Sequence, residues 1–146
     1  IYFVNSSSIT KTNIMEKIRS ILPEGWETPK GYSQAILAEG RQLFISGQIG
    51  WDETSTFQTD DFTEQSAQAL RNIVSILDAA NANAKHVTRM TWFITDKQEY
   101  LSSLKTLGQK YKEVFGRHFP AMSVIEVKRL LEDRAKVEIE ATAVIP

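Results

Sequence analysis

Phe119-Pro120-Ala121-Met122-Ser123-Val124-Ile125-Glu126-Val127 is followed, after a charged turn, by Val137-Glu138-Ile139-Glu140-Ala141-Thr142-Ala143-Val144. Both halves read as strands. In the first, Val124, Ile125 and Val127 are β-branched residues shortly after a proline. In the second, Val137, Ile139, Ala141 and Ala143 alternate with Glu138, Glu140 and Thr142, which is the two-residue period of a pleated sheet. One face of that strand is apolar and the other carries carboxylates. A carboxylate held stiff near the start of a strand suits a base that must position one water. An ordinary half-buried strand showing glutamates to solvent has the same pattern.

Working back from this stretch, Val87 to Ile94 holds Val, Thr, Met, Trp, Phe and Ile with the single charge of Arg89, and reads as a strand with both faces mostly covered. Between it and Phe119, Asp96 and Glu99 have helix-capping spacing. Tyr100, Leu104, Leu107, Tyr111 and Phe115 then make an amphipathic stripe that Gly116 stops; such a stripe is core before it is a cofactor site. Asp61 and Glu64 repeat the cap spacing ahead of Phe62, Ala69, Leu70, Ile73, Leu77 and Ala80. That predicts a long amphipathic helix ending near Asn81, a residue that tolerates the left-handed conformation.

Further upstream, Ser33 to Ala38 and Leu43 to Ile49 are apolar runs separated by Glu39-Gly40-Arg41, which predicts a hairpin. Gly47 inside the second run marks a bulge or a close approach by a ligand or another backbone. Trp51 to Thr56 reads as a polar loop. Met15 to Leu22 is compatible with one short helix closed by Pro23, and breakers fill the chain from Pro23 to Gly31. Residues 1 to 14 show no sustained period and do not begin with methionine. They read as a leader ahead of a start at Met15, or as an arm that docks on a neighbour through Tyr2 and Phe3.

The predicted order is strand, strand, helix, strand, helix, strand, strand. It specifies an α+β plait in which two long helices cover one face of a mixed sheet. The strands are apolar on both sides and no further helix is left, so the other face is expected to be covered by another subunit.

At 146 residues the length fits one domain, able to bury roughly 70 % of its unfolded surface. The chain has no cysteine, which excludes disulfides, thiol nucleophiles and thiolate metal sites. With only His86 and His118, a histidine metal cluster is not expected; both fit surface or packing roles. The 17 basic and 18 acidic residues leave a formal charge of −1, so no overall field draws in nucleic acid or an anionic membrane. No apolar run approaches a membrane span and no secretory signal is visible. A cytoplasmic location is the expectation.

Gly31-Tyr32-Ser33-Gln34-Ala35, Ser46-Gly47-Gln48, Gln65 with Ala69-Leu70-Arg71-Asn72-Ile73, Pro120-Ala121-Met122-Ser123 and Val137-Glu138-Ile139-Glu140-Ala141, in this order, resemble the RidA/YjgF family, also called the endoribonuclease L-PSP family. The resemblance runs from Gly31 to Val144. It implies a chorismate-mutase-like fold over residues 31–146, after a leader and arm over residues 1–30. It also implies a homotrimer with small-molecule clefts between neighbouring subunits, and hydrolysis of enamines and imines to keto acids and ammonia without metal or cofactor. Carried over residue by residue, Glu138 matches the glutamate that positions the attacking water. Tyr32 matches a tyrosine lining the cleft, Ser46 and Gly47 fall at its wall, and the backbone at Val124 lies where ligand is contacted.

The departure from the family pattern is Met122. Deaminating members carry there an arginine whose planar fork pairs with a substrate carboxylate, and a thioether can neither pair nor donate. Leu104 stands where such members often place an asparagine. The loss disfavours 2-aminoacrylate and suits a larger, less polar ligand against an adaptable apolar wall. Arg117, His118 and Arg129 are alternative sources of a cation. Three functions follow in order: a deaminase of altered specificity, for example on a 2-aminomuconate-like compound; a metabolite-binding or sensing protein that keeps Glu138 as an acceptor; and, distantly, an endoribonuclease.

Overall fold

The computed structural model describes residues 17–146. The leader expected over residues 1–14 and the start of the expected helix at Met15 lie outside the described residues. Six strands and three helices follow in the order β1 (Ile18–Ile21), β2 (Ala35–Ala38), β3 (Arg41–Ile49), α1 (Phe62–Ala79), β4 (Val87–Ile94), α2 (Lys97–Ser102), α3 (Leu104–Phe115), β5 (Ala121–Glu126) and β6 (Val137–Ile145). The larger sheet has the order β3-β6-β4-β5; β4 runs antiparallel to β6 and parallel to β5. β5 and β6 are therefore separated by β4. β1 and β2 form a two-stranded sheet of their own.

The alternation read in β6 is the alternation of its burial: Val137, Ile139, Ala141 and Ala143 face the core. They meet Trp92 and Met90 of β4 and, through Ile45, β3. Leu70, Ile73 and Leu77 of α1 cover that face at steps of three and four, and all three are fully buried. Each such side chain contributes about 1.5–3 kcal/mol of transfer free energy. Asp61 caps α1 by accepting from the Glu64 amide at 2.9 Å, and the hydroxyl of Thr63 with that amide lowers its carboxyl below the usual range. Just past the helix end, Asn81 takes a φ of 55°, the left-handed residue anticipated there.

Three local expectations are corrected. Ile18–Ile21 is a strand, not part of a helix. Its isoleucines suit a pleated ribbon, and pairing with β2 from Ile18 opposite Ala38 to Ile21 opposite Ala35 gives its backbone partners that a single isolated turn lacks. Nor do β2 and β3 form a hairpin: β2 pairs with β1 and β3 with β6. Gly40 carries the chain between the sheets at φ 153°, passing so close to β6 that a Cβ there would lie 2.7 Å from the carbonyl carbon of Ile145. Finally, the second helix is broken. Ser102 and Ser103 hydroxyls both donate to the Glu99 carbonyl, at 3.1 and 2.7 Å, and compete with the helical ladder, so α2 ends and α3 restarts after Ser103.

The opposite face of the larger sheet carries Phe93, Glu138 and Glu140 together with Phe44 and Ile125, which are 75 % and 46 % exposed. Among the described residues no helix packs there.

Candidate functional site

Two groups of residues singled out in the sequence come together, on opposite faces of the sheet. The first centres on Glu138. The pairing of β3 with β6 slips by one residue between Ile45 and Gln48, so Ser46-Gly47 forms the bulge anticipated from the glycine. The Glu138 side chain lies over that bulge. A Cβ on Gly47 would fall inside the contact shell of Glu138 Oε1 and only 2.7 Å from its Cδ. Gly47 is thus required by the carboxylate itself, not by a left-handed turn. Glu138 is half-buried, and among the described residues no hydrogen bond or ion pair engages its carboxylate. Ser46 sits beside it on the exposed side, where Gln48 Nε2 donates to its carbonyl at 3.1 Å.

The second group lies between β5 and α3. Met122 and Val124 pair across with Met90 and Trp92, which places them on the helix-covered face, opposite to Glu138. With Tyr32 they line a cleft of about 600 Å³ whose remaining wall includes Trp92, Tyr100, Leu104, Gly108, Tyr111 and Phe119. Tyr32 is brought there because Ser33 bridges to Ala121: its amide donates to the Pro120 carbonyl at 2.9 Å and its hydroxyl to the Phe119 carbonyl at 2.6 Å. Within that wall, Tyr111 stacks on Phe119 at 5.6 Å, and its hydroxyl donates to the His118 carbonyl at 2.6 Å. Burial raises the phenol pKa of Tyr111 and, more modestly buried, of Tyr100, so both stay neutral donors.

Within one chain the structure therefore joins Glu138 to Gly47, and Tyr32 to Met122 and Val124, but does not join the two groups. The cations considered from sequence are not in the cleft. His118 Nε2 donates to the Val87 carbonyl at 2.6 Å, and Arg129 lines a separate hollow with Lys128 and Arg134. Lys30 and Lys112 line the cleft instead. Sequence reasoning missed these two, and Trp92 and Gly108 as well; a glycine inside an amphipathic helix was the one visible signal. The other histidine, His86, caps a turn by accepting from the Asn83 amide at 3.1 Å. Among the described residues no group of three or more acidic or histidine side chains is placed to hold a metal, and no helix is long and apolar enough to cross a membrane.

A buried glutamine ties the larger sheet's loops to α1. Gln65 Nε2 donates to the carbonyls of Thr59 and Arg134 at 3.0 and 3.1 Å, and its Oε1 accepts from the Lys136 amide at 2.9 Å, one residue before β6 begins. Gly50 lets this side chain pass, since a Cβ there would lie 2.6 Å from Gln65 Cγ. The start of β6, and with it Glu138, is positioned from α1.

Residues 26–145 match the family described as endoribonuclease L-PSP. A RutC family protein of Pyrococcus horikoshii is 38 % identical over 125 residues, covering 84 % of this chain and 94 % of that protein. A human 2-iminobutanoate/2-iminopropanoate deaminase is 35 % identical over 114 residues, covering 77 % of this chain and 79 % of the human one. Among solved structures, a protein of unknown function of the conserved Rid family from Yersinia pestis superposes with a TM-score of 0.78 at 29 % identity, over 88 % of this chain and 99 % of that one. Fold, motif order and these relatives agree: the chain belongs to the endoribonuclease L-PSP family, the RidA/YjgF family of α+β proteins.

Proposed function

We propose that the protein is a hydrolytic deaminase of enamine or imine metabolites. It acts as a homotrimer in which the Glu138 face of one subunit meets the Met122 cleft of the next. The observation that carries this reading is the Glu138 carboxylate, fixed on a strand, laid over the Gly47 bulge and unengaged by any described residue. Relatives named as 2-iminobutanoate/2-iminopropanoate deaminases support the chemistry, and a related Escherichia coli structure with bound serine supports a small-molecule ligand. The two separate half-sites and the uncovered sheet face with Phe44 and Ile125 support assembly.

In this reading the carboxylate of Glu138 takes a proton from a water as the water oxygen bonds to the imine carbon. Glu138 hands that proton to the imine nitrogen, giving a carbinolamine. The carboxylate then takes the carbinolamine's hydroxyl proton and passes it to the amino group, which leaves as ammonia as the C–N bond breaks and the C=O bond of the keto acid forms. General-base assistance of this kind is worth about 10²–10⁴-fold. Met122, in place of an arginine, leaves the wall apolar and directs specificity away from the smallest imino acids.

The test is release of ammonia and keto acid from imines generated in situ by an amino-acid oxidase, with wild type, Glu138→Gln and Met122→Arg. Wild-type turnover that Glu138→Gln abolishes supports the reading. A wild type that is inert on every imine, with Met122→Arg gaining activity on 2-aminoacrylate, replaces it with the metabolite-binding alternative, which the apolar Met122 wall favours.

A further inference from the structure

Two features of the cleft are costly for the protein by itself. Gly108 stands inside α3, where glycine is less favourable than alanine. Its backbone is helical, and a Cβ added there would meet nothing within 4 Å, so neither conformation nor crowding demands glycine. What the missing side chain preserves is room in the cleft that Gly108 lines. Trp92 lines the same cleft; it is 3 % exposed and its Nε1 is the buried side-chain polar atom without a hydrogen-bond partner among the described residues. An unpaired buried donor is destabilising. A ligand that fills the space at Gly108 and brings an acceptor to Trp92 offsets both.

The surroundings define that ligand. Tyr111 and Phe119, stacked at 5.6 Å with their planes 11° apart, and Tyr100 present aromatic surfaces to the same cleft. Lys30 and Lys112 line it too, in no ion pair among the described residues. We propose that Gly108 and Trp92 select an imino or enamino acid with a bulky, planar, aromatic side chain. Its ring occupies the space at Gly108; its carboxylate is drawn in by the two lysines and gives one oxygen to Trp92 Nε1–H. Because Nε1 is shielded from solvent, the oxygen reaches it as a side chain of the cleft wall turns aside on ligand entry.

This selectivity rests on the deaminase reading for its substrate class, but its test is binding and does not require turnover. The probes are phenylpyruvate and pyruvate, the stable keto acids that aromatic and small imino acids would yield. Calorimetry gives their affinities, and the indole N–H resonances, assigned with Trp26→Phe, Trp51→Phe and Trp92→Phe, report the contact. Phenylpyruvate is expected to bind wild type at least about tenfold more tightly than pyruvate and to move the Trp92 indole proton downfield. Gly108→Leu, whose side chain fills the space on a better helix former, is expected to bring the two ligands within about twofold of each other. Equal affinities in wild type, or a preference that survives Gly108→Leu, overturns the proposal, and these outcomes are readable even if Trp92→Phe does not fold. Selective binding without ammonia release overturns the deaminase reading alone, and turnover confined to small imines without selective binding overturns the selectivity alone.

Discussion

Gly47→Ala is the substitution that most sharply separates geometry from stability. The new Cβ would lie 2.7 Å from Glu138 Cδ and 2.8 Å from its Cγ, against ordinary carbon contacts of about 3.5–4.0 Å, so the carboxylate must retreat by about 1 Å. The backbone at Gly47 is outside the left-handed region, so alanine adds no conformational strain. Glu138 is half-buried and unpaired, so turning it aside breaks no interaction among the described residues; the expected stability cost is about 1 kcal/mol, the low end of overpacking. For a base that must hold one water against a substrate carbon, a displacement of that size costs on the order of 10²-fold in rate. The assay is ammonia release from oxidase-generated imines, read beside a thermal melt. The expected result is kcat/KM reduced about a hundredfold with Tm lowered by only a few degrees, and Glu138→Gln on the Gly47→Ala background adding little further loss. Full activity in Gly47→Ala would refute the reasoning, because the carboxylate cannot keep its place beside that Cβ.

Gln65→Ala removes all three hydrogen bonds that hold residues 59, 134 and 136 to α1, and is expected to lower the urea-unfolding free energy by about 3 kcal/mol; a loss under about 1 kcal/mol would contradict its bracing role. Tyr111→Phe deletes the donor to the His118 carbonyl and should cost about 1 kcal/mol by the same measurement, with an unchanged value refuting it. Asp52, bonded first by the Thr54 hydroxyl and then by Gln58, has its carboxyl lowered to about 2. Because that folded value lies below the unfolded one, near 3.9, its contribution to loop order is complete above about pH 4 and disappears as pH falls through about 2. Trp51, packed against Phe57 at 6.0 Å, reports this by fluorescence, and Asp52→Asn is expected to flatten the acid transition.

What was legible in the sequence was whatever local periodicity or capping chemistry determines. The β6 alternation, the Asp61 and Asp96 caps, the left-handed Asn81, the β4 boundaries and the Gly47 bulge all stand as read. What was not legible was pairing at a distance. Glu39-Gly40 looks like hairpin chemistry, yet β3 pairs with β6 and β2 with β1, and Gly40 passes against the Ile145 backbone instead of closing a turn. Ile18 and Ile21 fit either period over so short a span, and only pairing with β2 selects the strand. For the site, the family resemblance led to Glu138, Gly47, Tyr32 and Met122. Trp92 read only as part of a buried strand and Lys112 was not singled out, since a side chain's unpaired donor and its place on a cleft wall are properties of the fold.

The central claim, that Glu138 of one subunit acts on a substrate held in the Met122 cleft of another, is tested most directly by mixing two defective variants. Glu138→Gln removes the base and leaves the cleft; Gly108→Trp blocks the cleft and leaves the base. Co-expressed with different tags and purified as mixed trimers, they are expected to recover about a third of the wild-type ammonia-releasing sites, because a ring of three holding both variants has one junction of three at which an intact base faces an intact cleft. Mixed oligomers as inactive as either parent would contradict the account, since each site would then draw both halves from one chain.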